Sequence, residues 1–225
     1  MSDLIQNVET ENDINKIPTA VESSEPSVLS DIYQSGKNMV IWQRKNSNQI
    51  DNTVDSILES KKSLKLVMEV TPQSIQADLL RVLDELDSDK ALSYDIYQLV
   101  DMFCFLFELK SVGLRLTTLQ EPMCPRFHVD KVGCRLITTY KGNGTQWLPH
   151  EIVDRSKLGA GNKGLSDDLS GIYKKETDIK HLTCGDVALL KGEAWIGNEN
   201  AGIVHRSPPV PKDEMRLVLT LDILP

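Results

Sequence analysis

An α+β domain, helices leading and short strands following, is the fold class this sequence predicts. Two observations carry that expectation. Between Pro72 and Lys110, apolar residues recur at spacings of three and four. From 112 to 224, short β-rich runs follow one another, bounded by glycine, proline and asparagine. A third feature is the long glycine-rich segment 142–179, which lacks periodic apolar positions and interrupts the strands. Helices first and strands later favour antiparallel sheets in a sandwich or barrel, backed by a helical layer.

Taken in order, residues 1–26 are rich in Ser, Glu, Asp and Asn and read as disordered or weakly ordered. Residues 27–225 read as one domain, with 27–111 a mainly helical layer and 112–225 the strand-built core. Met39, Val40, Ile41 and Trp42 form an apolar cluster that suits a short docked strand. In PQSIQADLLRVLDEL, Ile75, Leu79, Leu80 and Leu83 mark one face of a helix. A second helix fits 93–110; its second half is apolar nearly all round and predicts burial. Gly113 then reads as its stop. The runs 112–120, 133–142, 180–192, 201–207 and 214–224 are the strands, eight or so in all. A connection as long as 142–179 is usually functional, so it is expected to be a lid or substrate-facing loop.

Composition narrows the function classes. The chain has 225 residues and a formal net charge of −8, which argues against bulk nucleic-acid binding. No apolar run approaches the ~18 residues a membrane span needs. The first residues lack a secretory pattern, so a cytoplasmic location is expected. The four cysteines form no CxxC pair and read as reduced thiols.

Gly159, Gly161 and Gly164 match GxGxxG, but no buried strand precedes them, so this reads as a flexible loop. His128 and Asp130 form HxD in FHVDKVGCRLITTY. Alone the motif is weak: four histidines, each with a chance of about 33 in 225 of an acidic residue two on, give about 0.6 matches by luck. Three features add weight. Spacing of two sets both side chains on one face of an extended segment. His205 lies in the apolar run GIVHRS, where each ring nitrogen needs a partner. Arg216 heads RLVLTLDIL, in which Arg216, Val218 and Thr220 share one face and Leu217, Leu219 and Leu221 the other. A guanidinium pointing into an apolar interior calls for an anion. Two imidazoles and a carboxylate make a facial triad with open positions, and an arginine fork matches a carboxylate.

The order HxD, long loop, Gly185–Asp186 turn, His, Arg resembles the Fe(II)/2-oxoglutarate-dependent dioxygenases over about 112–224. The resemblance implies a double-stranded β-helix, also called a jelly roll, of cupin-like build. It implies Fe(II) on His128, Asp130 and His205, with Arg216 on the distal carboxylate of 2-oxoglutarate. A second anchor for the oxo acid falls to Tyr140 or Thr138, depending on which strand face is inward. The stretch CPRFHVDKVGCRLITTYKGNGTQWLP is also similar to a bacterial family of unknown function that gene context links to zinc limitation. Zinc on the same three ligands, helped by Cys124 or Cys134, is the alternative: a metal-binding protein without oxygenase activity. Arg126, Arg135 and Trp147 are candidates for touching substrate or supporting the ligands. His150 and His181, at the edges of the long segment, and Trp195 read as structural. The substrate, small molecule or protein, is open, and a homodimer through the Val40 segment or exposed strand edges is an option.

Overall fold

The computed structural model describes residues 17–60 and 63–224. Seven strands form one sheet: β1 (Thr19–Ser23), β2 (Lys37–Trp42), β3 (Lys65–Val70), β4 (Val112–Leu119), β5 (Cys134–Lys141), β8 (Val187–Lys191) and β10 (Arg216–Asp222). Their spatial order is β1-β2-β8-β5-β10-β4-β3. All neighbours run antiparallel except β1 and β2. The second sheet has three short strands, β6 (Gln146–Leu148), β7 (Lys180–His181) and β9 (Val204–Arg206), in the order β7-β6-β9. Among the described residues these are two stacked sheets and not a closed barrel.

Helices α1 (Asn48–Glu59), α2 (Ile75–Leu83) and α3 (Ala91–Leu106) cover one face of the large sheet. Ser47 caps α1 by accepting from the Ile50 amide at 3.3 Å. The buried Asp87 caps α3, accepting from the amides of Leu92 and Ser93 at 3.2 and 2.7 Å. Ile75, Leu79, Ile96, Leu99 and Phe103 pack on Leu116, Leu136, Leu189, Leu217, Leu219 and Leu221. A second core lies between the sheets, where Met39, Ile41, Ile137, Leu190 and Val218 meet Leu182 and Ile203. The central strands are therefore covered on both sides. That is why VALLK and RLVLTLD read as nearly unbroken apolar runs.

Several expectations change. The 27–111 segment carries α1, α2 and α3 but also contributes β2 and β3, and 17–26 contains β1, because the large sheet is completed from the N-terminal part. Residues 1–16 lie outside the described residues. The predicted helix over 93–110 ends at Leu106, and Gly113 sits inside β4. Its second half is not fully buried: Phe105 is 86% exposed. The Val40 segment offers no dimer surface, since β2 is enclosed between β1 and β8.

The long segment is the largest change. It starts with β6 and then packs Val153, Leu158, Ile172, Tyr173 and Ile179 onto Phe127, Leu148 and Val204. These lie on the outer face of the small sheet, away from the large one. A three-stranded sheet with one wet apolar face is unstable, and this segment supplies the missing layer. Asp167, at the start of the short helix α4 (Asp167–Ser170), fastens it by accepting from the Phe127 amide at 3.0 Å and Arg206 at 2.8 Å.

Candidate metal centre

His128 enters the small sheet as an extra rung beside β9. Its amide donates to the His205 carbonyl, and the His205 amide donates to the His128 carbonyl, both at 3.0 Å. Directly opposed residues share a face, so the two rings lie together, 4.6 Å between centroids, in the space between the sheets. Two residues on, Asp130 falls on the same side. Backbone bonds hold this turn: the Gly192 amide donates to Gly133, and the Glu193 amide to the Asp130 carbonyl at 2.8 Å. Gly192 is required here, since a Cβ would lie 2.1 Å from the Val132 carbonyl oxygen.

One donor atom from each of His128, Asp130 and His205 lies within 4.8 Å of the others. Asp130 Oδ1 is 3.6 Å from His128 Nε2, and Oδ2 is 3.3 Å from His205 Nε2. Both Nδ1 atoms face carbonyls, of Arg126 at 2.9 Å and of Ile203 at 3.3 Å. A carbonyl only accepts, so each Nδ1 carries a proton and each Nε2 is left facing the carboxylate. This is the orientation in which Nε2, once free of any proton, can serve a metal.

Arg135 sits beside the triad, its Nη1 2.8 Å from Asp130 Oδ2. Its remaining donors grip Asp222 at 2.6 and 2.8 Å. Asp130 Oδ2 is buried and has no well-aligned hydrogen bond. Burial works against the Asp130 charge, but the two histidines and Arg135 outweigh it and hold the carboxyl well below its usual range. For His128 burial is outweighed in the same way by Asp130 and the Arg126 carbonyl, and its pKa rises.

Arg216 opens β10 and is 2% exposed. It donates to the Asn143 carbonyl at 2.6 Å, Ser207 Oγ at 2.8 Å and Thr139 Oγ1 at 3.3 Å. No carboxylate pairs with it among the described residues. Burial alone lowers its pKa to about 10, which still leaves it charged at neutral pH. Gly142, in a left-handed conformation at φ +87°, makes room for it: a Cβ would stand 2.6 Å from Arg216 Cγ.

His128, His205, Arg135 and Arg216 line one small cavity, with Leu119, Met123, Cys124, Ile137, Val218 and Thr220 among its other walls. Three chelating donors beside a buried cation with no carboxylate partner among the described residues fit a divalent metal with an anionic co-ligand.

The other sequence candidates are sorted by strand parity. Tyr140 and Thr138 point to the helices, not the cavity. Tyr140 is buried and donates to Asp95 Oδ2 at 2.7 Å, and Arg44 grips the same carboxylate. Tyr140 as oxo-acid anchor is thus corrected, because Arg135, Ile137 and Thr139 are the residues of β5 that face inward. Arg126 turns outward and ties down the long segment through the carbonyls of Gly164 and Leu165. Trp147 packs in the core between the sheets without lining the cavity. Cys134 is buried on the helical side, its thiol pushed far up by burial, and is no ligand. Cys124 does line the cavity. Neither His150 nor His181 joins the cluster. Of the 142–179 segment, Thr145 lines the cavity and the Asn143 carbonyl accepts from Arg216, whereas residues 149–179 are not among the lining residues and pack on the outer face of the small sheet. Sequence reasoning missed Thr139, Ser207, Asn143 and Asp222. Thr139 and Asp222 share a face with Arg135 and Arg216, so parity from Arg216 was the available signal.

The fold and site together define a two-sheet α+β domain with a His-Asp-His centre beside a buried arginine. The chain belongs to the DUF1826 family, described as a protein of unknown function, whose profile matches residues 23–222. No curated protein matches it. Among solved structures it is similar to a rice dioxygenase for auxin oxidation, with TM-score 0.48 and 10% identity, covering 93% of this chain and 83% of that one. A Pseudomonas putida prolyl-4-hydroxylase gives TM-score 0.43 and 9% identity over 87% of this chain and 96% of that one. A full-length Neurospora crassa protein, solved in complex with alpha-KG and 5-formyluracil, gives 0.41 and 10% over 84% and 74%. At identities of 9–10%, the side chains of this chain must carry any functional reading.

Proposed function

We propose that this chain is a non-haem Fe(II)- and 2-oxoglutarate-dependent oxygenase. The observation that carries the reading is one cavity lined both by His128 and His205, which cluster with Asp130, and by a buried guanidinium that has no carboxylate partner among the described residues. When bound, Fe(II) and 2-oxoglutarate supply the oxidation of substrate by oxygen, with succinate and carbon dioxide as co-products.

The chain's own contribution is positioning. His128 and His205 offer Nε2, with Nδ1 fixed on backbone carbonyls. Asp130 would offer a carboxylate oxygen to the metal, and Arg135 restrains its Oδ2. Arg216 offers its fork to the distal carboxylate of the oxo acid, and Ser207 and Thr139 offer hydroxyls beside it. Leu119, Ile137 and Val218 keep the wall apolar, which strengthens each charged contact.

The test is anaerobic titration with Fe(II) and 2-oxoglutarate, followed by succinate release on admitting oxygen. A weak visible charge-transfer band and uncoupled succinate formation are expected. Both vanish in His128→Ala and Asp130→Ala. A colourless protein that holds zinc stoichiometrically and ignores 2-oxoglutarate would sink this reading in favour of a non-enzymatic metal binder.

A further inference from the structure

Strand β3 ends the seven-stranded sheet and has no neighbour on its outer side among the described residues. Its sequence KLVMEV alternates in exposure. Leu66 and Met68 pack against the main core, whereas Lys65, Val67 and Glu69 are exposed, Val67 by 56%.

One hydrogen bond fixes where the backbone groups point. The Thr118 amide donates to the Leu64 carbonyl at 2.9 Å. Position 64 therefore faces β4, and so do 66, 68 and 70, because the direction alternates along an antiparallel ladder. The N–H and C=O groups of Lys65, Val67 and Glu69 face the open edge. Such a row of unpaired groups is a template for another strand.

The side chains select which strand. Lys65 and Glu69 flank Val67 symmetrically, two residues to either side. A two-fold axis at Val67 sets Lys65 opposite Glu69 of the partner subunit, Glu69 opposite the partner's Lys65, and Val67 opposite its own copy. Every pair then joins outward-facing positions, so each exchanges two backbone hydrogen bonds. A slip of one residue pairs outward with inward positions and loses those bonds. A parallel alignment stacks like charges. Lys65 has no ion-pair partner in its own chain among the described residues. Glu69 is pre-ordered by Ser111, whose hydroxyl donates to Oε1 at 2.6 Å. The other edge, β1, reads TAVES and holds no opposed charges about its centre.

We propose that two copies of this chain associate through β3, antiparallel about a two-fold axis at Val67, so that their large sheets become one continuous sheet. The inference is independent of the metal centre.

Sedimentation velocity on the full chain over a concentration series tests it. A monomer–dimer equilibrium is expected, weakening with added salt. Lys65→Glu and Glu69→Lys should each weaken association at least about tenfold, because every substitution acts twice across the axis. The double variant K65E/E69K should recover wild-type association to within about threefold. Val67→Pro spares the ladder to β4, because the lost N–H points outward. It should leave the circular dichroism unchanged and the protein monomeric. A wild-type chain that stays monomeric throughout would overturn the proposal. So would a dimer indifferent to Val67→Pro, or a charge swap that fails to restore association.

Discussion

At the scale of single residues, two arginines with opposite electrical situations divide the work of the cavity. Arg135 is saturated by two carboxylates, whereas Arg216 has only neutral acceptors. An arginine already committed to Asp130 and Asp222 is a poor anion receptor, and Arg216 is a good one. On the proposed function, Arg216→Met is therefore expected to weaken 2-oxoglutarate binding by about 10- to 100-fold, the range of a charge-assisted bond. Metal affinity should be unchanged, and calorimetric titration of metal and oxo acid separately checks the split. Arg135→Leu should show the reverse split. Its loss frees Asp130 Oδ2 and is expected to lower metal affinity about 10- to 100-fold. Asp222→Asn should act in the same direction, and the double variant should lose less than the sum, since both act through one chain of contacts.

Elements place those residues through parity. β5 is CRLITTYK, in which one face carries Cys134, Leu136, Thr138 and Tyr140 and the other Arg135, Ile137, Thr139 and Lys141, so each face mixes apolar and polar side chains. Alternation therefore leaves its inward face undecided from sequence. β10 was readable, because Arg216, Val218 and Thr220 differ so clearly from three leucines. The register Val218 to Thr139 and Thr220 to Ile137 transfers that parity to β5. Tyr140 is thereby sent to the helical side, where Asp95 on α3 receives its hydroxyl. The cap of α3 belongs to the same scale. Asp87 takes two amides and the Ser93 hydroxyl, and Thr53 of α1 donates to it. Asp87→Ala should cost about 2 kcal/mol in chemical denaturation, from the lost cap and the buried donors left unpaired. A cost within error of zero would contradict the cap.

Across the whole molecule, layering decides which groups meet water. Cys104 and Cys134 lie in the core between helices and sheet, and burial raises both thiols. Cys124 and Cys184 are exposed. Alkylation of the native protein at pH 8 should modify Cys124 and Cys184, and the other two only after unfolding; peptide mass mapping reads this out. Metal binding should also be visible globally. At a hundred times its dissociation constant, a divalent metal should add about 2.7 kcal/mol of stability, an increment that His205→Ala removes. No helix among the described residues is long and apolar enough to cross a membrane.

The sequence by itself determined the residue types that bear the chemistry, the helices α2 and α3, the strand-rich stretch after 112 and the inward face of β10, whereas α1, β1 and β3 were not placed. It does so because a charged or polar residue set against apolar neighbours at period two leaves little choice of side. Only the tertiary structure decided that His128 pairs with His205, that Tyr140 turns away while Thr139 turns in, and that 149–179 backs the small sheet. These are long-range outcomes. They depend on which layers cover a strand whose two faces are alike, and on a rung formed between residues 77 positions apart.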